Sequence, residues 1–222
     1  MKIIEPSVEI LTEIDSDRIL KQIEIAARNC YKSEDKITED CESAKKIIKI
    51  LLDNHHEAMI EFADIMVRLN CDIGVYKDLS RHRLCSFAIE STRYCNYSKG
   101  KFNKEITFIE PCNIEKYDNT TLRDVSFAEP FYTKEYRLWY DTMQIIEDSY
   151  IRMSELGCKP DQLRMLLPHS TAASVVMKAN IREWRHILKL RTSNAAHPSV
   201  QQVMKMILKE FKEKIPVLFD DI

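Results

Sequence analysis

Glycine is scarce in this sequence: only Gly74, Gly100 and Gly157 occur in 222 residues. Three glycines so placed cannot build a GxGxxG turn or a Walker loop, where the backbone itself approaches a phosphate. A nucleotide or dinucleotide bound here must be held by side chains and helix N-termini. Long hydrophobic runs are lacking too. No stretch approaches the roughly 20 apolar residues that cross a bilayer, and the opening MKIIEPSVEI lacks the apolar centre of a signal peptide. The expectation is a cytoplasmic protein with no membrane partner. No charge of one sign dominates: 33 Lys and Arg stand against 35 Asp and Glu, a net charge of −2, which argues against a nucleic-acid partner. Finally, the cysteines do not pair. Cys30, Cys41, Cys71, Cys85, Cys95, Cys112 and Cys158 are odd in number and form no CxxC, so neither a disulfide framework nor a zinc ribbon is indicated. Reduced thiols, several buried as small hydrophobes, are expected.

What is present is the composition of a globular protein: 45% hydrophobic and 31% charged residues. Without repeats, low-complexity segments or linkers, the chain reads as a single domain over 1–222. From Asp15 to Tyr31, Ile19, Ile23, Ala26, Ala27 and Cys30 share one helical face, with Asp15 or Ser16 as N-cap. A second helix follows Thr38, with the stripe Ala44, Ile47, Ile48, Leu51 and Leu52. Between residues 60 and 71 the period changes to two. Ala63, Ile65, Val67, Leu69 and Cys71 alternate with polar or less apolar neighbours, which predicts a half-buried strand.

Asp72 then caps a short helix running to about Arg83, and residues 84–104 look irregular. ITFIE at 106–110 reads as a strand. Pro130 suits the first turn of a long helix whose stripe is Tyr136, Trp139, Met143, Ile146, Tyr150 and Met153, ended by Gly157. Pro160 opens a short helix through Leu167. Residues 171–179 are ambiguous, although Val175, Met177 and Ala179 fit one face of a strand. Asn180 caps a helix holding Trp184, Ile187, Leu188 and Arg191, and a last helix carries Val200, Val203, Met204, Ile207, Leu208 and Phe211. The predicted fold class is α+β: a small, mainly antiparallel sheet packed with several long helices.

Three clusters carry chemistry. Arg81-His82-Arg83 is followed by Ser86, Glu90, Ser91, Arg93 and Tyr94. Guanidinium forks pair bidentately with phosphate or carboxylate, and serine adds short neutral donors, so the set suits an anionic, hydroxyl-bearing ligand. A solvated basic turn paired with surface carboxylates is the competing reading. The second cluster is Asn180, Arg182, Arg185, His186 and Arg191. Arg182 and His186, four apart, share a helix face, and the helix start favours an anion. The third is His55-His56-Glu57 with Glu61. Adjacent histidines diverge on any regular element and no HxxxH is present, so no metal is expected there.

Taken together, the clusters resemble the flavin-dependent thymidylate synthases. RHRLCSFAIESTRY carries RHR, seven residues, then Ser91. Ala26-Ala27-Arg28 with Cys30-Tyr31, His56-Glu57 with Glu61, Arg164 with Leu167-Pro168, and Asn180, Arg182 and Leu190-Arg191 follow in the family's order, over roughly residues 20–212. The resemblance implies reductive methylation of dUMP to dTMP, with 5,10-methylenetetrahydrofolate as carbon donor, FAD as hydride carrier and NADPH as reductant, in a homotetramer with shared active sites. It implies that His56, Arg81, His82, Arg83, Asn180, Arg182 and His186 bind FAD. Asp78, Glu90, Ser91, Arg93, Arg164 and Arg191 would bind dUMP, with Arg191 promoting ionisation of uracil N3. No cysteine is implied as nucleophile.

Some positions depart from the family pattern. Glu90 is displaced by one residue towards Ser91, and Asp78 stands where many members carry Gln. Ala58 replaces a usual Thr, and Ala195 takes the place of a late His, with His197 two residues on. These departures keep a catalytically inactive flavin- or nucleotide-binding relative open as the alternative reading.

Overall fold

The computed structural model describes residues 1–117 and 132–222. Its contacts divide into two compact units. Unit 1 holds Met1–Pro6, Cys71–Tyr76 and Ile89–Ala173; unit 2 holds Ser7–Asn70, Lys77–Ala88 and Ser174–Ile222.

Unit 2 opens with strand β2 (Ser7–Ile10) and helix α1 (Ser16–Tyr31). Asp15 caps α1 by accepting from the Arg18 N–H at 3.0 Å. Ile19, Ile23 and Ala27 of the expected stripe are buried, Ala26 is half-buried, and Cys30 is exposed, while Leu20 is buried as well. Burial instead extends to the Glu24–Arg28 face. There Arg28 Nε donates to Glu24 Oε1 at 2.6 Å, and Ser43 Oγ donates to Glu24 Oε2 at 3.0 Å, so the buried carboxylate is satisfied on both oxygens. Helix α2 (Glu42–Asp53) buries Ala44, Ile48 and Leu51 and packs on α1. A 3-10 stretch, Glu57–Phe62, leads to strand β3 (Asp64–Asp72), where Ile65, Val67, Leu69 and Cys71 are fully buried as the alternation predicts.

Later elements of unit 2 are β4 (Ser86–Ile89), β6 (Ala172–Asn180), α6 (Ile181–Arg191), α7 (Pro198–Lys214) and α8 (Pro216–Phe219). Residues 171–179 are thus settled as strand, with Val175, Met177 and Ala179 buried on one face. The sheet order is β2-β3-β6-β4, and β2 pairs antiparallel to β3 with Ser7 opposite Asn70. Trp184 anchors α6: its ring packs edge-on against Phe211 at 5.4 Å, and its Nε1–H donates to the Ile65 carbonyl at 3.0 Å. Asn180 caps the same helix by accepting from the Glu183 N–H at 2.8 Å.

Unit 1 holds β1 (Lys2–Ile4), α3 (Ile73 onward, ending at Leu79 in unit 2), β5 (Thr107–Ile109), α4 (Lys134–Glu155) and α5 (Pro160–Leu163), which a 3-10 turn extends over Arg164–Leu166. Its core gathers Tyr97, Ile106, Phe108, Met143, Tyr150 and Leu163. Strands β1 and β5 pair in parallel. Glu147 Oε1 accepts from the buried Ile106 N–H at 2.7 Å, which satisfies that donor.

The mixed, mainly helical architecture with its small sheet bears out the α+β expectation. Some local expectations change. Helix α3 ends at Leu79, not Arg83, because the His82 N–H turns back to the Leu79 carbonyl at 2.9 Å and carries the imidazole into the interior. Strand β4 lies in the stretch read as irregular; four residues are too few to show a period. β1 and β2 are equally short. Pro130 lies outside the described residues, and α4 is capped by Thr133, whose hydroxyl accepts from the Tyr136 N–H at 3.2 Å. Gly157, with φ +94°, follows the last turn of α4 as expected.

In unit 2, Arg185 is 3% exposed and grips both Asp221 oxygens, at 2.7 and 2.6 Å. Those bonds hold the Asp221 carboxyl below the usual carboxylate range. Asp221→Asn leaves a buried guanidinium without its counter-charge. Since Asp221 itself is half exposed, the expected loss is about 1–2 kcal/mol, or roughly 2–8 °C in Tm. A depressed acid stabilises above its unfolded pKa and ceases to do so as pH falls through its folded value. Thermal melts should therefore show the gap between variant and parent closing below about pH 4.

Candidate active site

The RHR turn follows α3, and its three residues part company. Arg81 and Arg83 are exposed, with no carboxylate partner among the described residues, whereas His82 is 7% exposed. The buried imidazole accepts at Nε2 from Arg191 Nε at 3.0 Å, and Arg191 Nη2 donates to the Asp78 carbonyl at 3.1 Å. The guanidinium plane is thus fixed by two bonds from the α3 end and the turn after it. An Nε2 that accepts leaves the proton on Nδ1, which faces Glu183 Oε1 at 3.6 Å. Burial, then the Arg191 and His186 charges, pull the His82 pKa down to about 4, so the ring is neutral at pH 7. Glu183, also buried, is shifted upward by desolvation. His186 lies edge-on to His82, with ring centroids 5.9 Å apart. Asp78 enters through its backbone carbonyl, a contact that any residue type makes equally well.

After β4 the chain enters unit 1 through a turn in which the Tyr94 and Cys95 N–H groups bond the Ser91 carbonyl at 3.1 and 2.9 Å. That turn delivers Glu90, Ser91 and Arg93 to a cavity of about 440 Å³, a volume ordinary for a small-molecule site. Arg164 reaches the same cavity from the 3-10 turn after α5, and Ile73, Tyr76, Ile89 and Leu167 supply apolar wall. Neither Arg93 nor Arg164 makes an ion pair among the described residues, unlike Arg28, Arg68, Arg137, Arg182 and Arg185. Glu90 is held to one side by the Tyr97 hydroxyl at 3.3 Å. Four of the six residues expected to bind dUMP therefore share one cavity. Asp78 and Arg191 belong to unit 2.

A second cavity, of about 380 Å³ within unit 2, is lined by His56, Glu57, Ala58, Met59, Cys30, Tyr31 and Arg182 among others. His55 turns the chain there with φ +55°. Of the residues expected to bind FAD, His56 and Arg182 meet in this cavity and His82 and His186 meet beside Arg191. Asn180 spends its side chain on the α6 cap. Arg182 is already engaged, with Glu61 at 2.6 Å and Glu57 at 3.6 Å.

A sequence model described as thymidylate synthase complementing protein matches residues 13–217. This chain belongs to that family. Its relatives include a probable flavin-dependent thymidylate synthase of Mycobacterium phage D29. That protein is 26% identical over 201 residues, which cover 90% of this chain and 81% of the relative. The flavin-dependent thymidylate synthase of Corynebacterium aurimucosum is 26% identical over 203 residues, covering 90% and 78%. Among solved structures, a UMP/dUMP methylase, PolB, from Streptomyces cacaoi bound with 5-Br dUMP superposes with TM-score 0.76 at 22% identity, covering 99% of this chain and 96% of the other. This likeness shows a shared fold. The family is one of methyltransferase enzymes. Among the described residues no helix is long and apolar enough to cross a membrane.

Family membership makes the thiols informative. Burial pushes Cys71 and Cys85 up to about 12, which keeps them protonated and unreactive. Cys95 is raised as well, by burial and by Glu90. Iodoacetamide at neutral pH should label the exposed Cys30 and Cys112 first, with Cys71 and Cys85 modified only on unfolding. Singly changing Cys30, Cys85 or Cys95 to Ala should leave turnover within about threefold of the parent, which an activity assay on folded, flavin-loaded variants reads directly.

Proposed function

We propose that this chain is a flavin-dependent thymidylate synthase that methylates dUMP to dTMP in the cytoplasm. The carbon donor is 5,10-methylenetetrahydrofolate. The single observation that carries the reading is the unit 1 cavity, where two guanidiniums without carboxylate partners among the described residues line the wall with a serine hydroxyl. A nucleotide monophosphate supplies the dianion that this set lacks. Arg93 and Arg164 pair with its phosphate, Ser91 donates a neutral hydrogen bond, and the Glu90 carboxylate, held by Tyr97, accepts from a sugar hydroxyl.

Arg191 lies in the other unit, held by His82 and the Asp78 carbonyl. Its proposed task is to stand beside the uracil and stabilise the negative charge that appears as N3 loses its proton. A pre-fixed guanidinium does this with little reorganisation, because His82 and Asp78 hold its plane before the substrate arrives.

The residues also fit a dinucleotide cofactor. Arg81 and Arg83, without an ion pair among the described residues, would offer guanidiniums to its pyrophosphate, as a chain without a glycine loop requires. His56, Arg182, His82, His186 and Asn180 complete the proposed FAD set. Arg182 must exchange its bonds to Glu57 and Glu61 to take part. FAD held by these residues would supply the hydride for the methylation, with NADPH as its reductant. The proposed assembly is a homotetramer in which subunits share sites. Exposed Leu84, Tyr94, Leu138, Ile145 and Met165 supply apolar surface for such contacts.

Two measurements test the reading. The purified protein should show a flavin absorbance spectrum that NADPH bleaches and dUMP perturbs. Arg93→Ala or Arg164→Ala should weaken dUMP binding about 10–100-fold while the flavin spectrum persists, since one charge-assisted hydrogen bond contributes about 1.5–3 kcal/mol. A colourless protein, or unchanged dUMP affinity in both variants, overturns the proposal. In turnover, Arg191→Ala should cut kcat by about 10²–10³-fold with a smaller change in dUMP affinity, as for loss of a donor aimed at developing charge. An equal loss in affinity alone would assign Arg191 to binding.

A further inference from the structure

Three side chains of unit 2, two of them in the proposed flavin set, also form an arrangement that flavin binding does not account for. Glu183 and His186 are separated by three on α6, so both project from the same side of the helix, the Glu-x-x-His spacing by which helices present one carboxylate and one imidazole to a metal. His82 meets them from the turn after α3. One nitrogen or oxygen from each of the three lies within 4.8 Å of the others, and His82 Nδ1 stands 3.6 Å from Glu183 Oε1. Metal–nitrogen and metal–oxygen bonds of about 2.0–2.2 Å put neighbouring ligand atoms a little over 3 Å apart, so the His82–Glu183 pair is already close to that spacing. His82 and Glu183 are buried and therefore pre-positioned, while His186 is exposed and free to rotate the remaining distance. Two imidazoles and a carboxylate with a solvent-facing side suit zinc and its first-row neighbours, with water in the open position.

We propose that His82, Glu183 and His186 bind a divalent first-row transition-metal ion, and that its occupation releases Arg191. The coupling follows from proton bookkeeping on one ring. While His82 Nε2 accepts from Arg191 Nε at 3.0 Å, the single imidazole proton sits on Nδ1. An ion that takes the Nδ1 lone pair displaces that proton to Nε2. Two N–H groups then face each other, and the Arg191 hydrogen bond is lost. No electrons move. Metal and the Arg191 anchor are alternatives on the same imidazole, so the ion acts as a brake on whatever Arg191 does. His82 and His186 also stand in the proposed flavin set, so ion and flavin compete where both reach these rings. The metal site itself does not rest on the thymidylate synthase reading.

The test is a Co²⁺ titration followed by visible d–d absorption, on the protein as purified and again after flavin removal, with no turnover required. The expected result is one saturating site per chain, with affinity reduced at least about tenfold in His186→Asn and in Glu183→Gln. His186 is exposed, so the first of these keeps the fold even if the second does not. Arg191→Leu should bind Co²⁺ several-fold more tightly, because the competing donor is gone. With Zn²⁺ in place of the paramagnetic ion, ¹⁵N spectra should show the His82 proton moving from Nδ1 to Nε2. No saturating absorption in either preparation, or unchanged affinity in His186→Asn, overturns the site. Unchanged affinity in Arg191→Leu overturns the coupling.

Discussion

The Arg191 guanidinium is fixed in its place because a neutral imidazole accepts a hydrogen bond from it. A histidine that kept its proton at pH 7 would repel the guanidinium instead of accepting from it. Burial prevents this: His82 is carried inside by the turn that ends α3, and desolvation pulls its pKa far below the solution value. The bond then ties the α3 end and the following turn to α6, whose own position is set by Trp184 packing on Phe211 and donating to the Ile65 carbonyl. One hydrogen bond thus depends on helix termination, on a buried strand and on an aromatic contact. The same geometry brings Glu183 and His186 beside His82, so what fixes the arginine also assembles three metal-ligating side chains.

Charge pairing sorts the arginines more clearly than their spacing does. Arg28 and Arg185 are buried and bonded to Glu24 and Asp221, as a desolvated guanidinium must be. Arg182 is half exposed yet engaged by two glutamates. Arg93 and Arg164 face a cavity with no carboxylate partner among the described residues. Guanidiniums that face a concave surface without an ion pair among the described residues retain affinity for anions, the basis of the nucleotide-monophosphate proposal. Among the described residues, Arg93 and Arg164 differ from Arg28, Arg182 and Arg185 in having no ion pair, and that difference as much as the lining marks the cavity as one for an anion.

Long periodic elements were legible. The alternation through β3, the stripes of α1, α2, α4, α6 and α7, and the caps at Asp15, Asp72 and Asn180 all appear in the structure, because burial of one face writes its period into the residue order. Strands β1, β2 and β4 were not legible, since three or four residues cannot display a period and each exists only through a partner far along the chain. Cys30 shows a different failure. It has the right spacing for the α1 stripe, yet burial follows the Glu24–Arg28 side, where a satisfied ion pair makes polar atoms as acceptable inside as methylenes.

The site divides the same way. Residue order alone determined the kind of chemistry: arginine, serine and histidine in the RHR-x7-S arrangement, without glycine loops or paired cysteines, point to anions held by side chains. The tertiary structure decided who meets whom. It placed Ser91, Arg93 and Arg164 around one cavity from segments some seventy residues apart, set the Asp78 carbonyl against Arg191 and bound Arg191 to His82. Composition and local period record what a residue can do and which face it occupies. Distance, burial and protonation belong to pairs of residues, and they exist only after the chain has closed the loops between them.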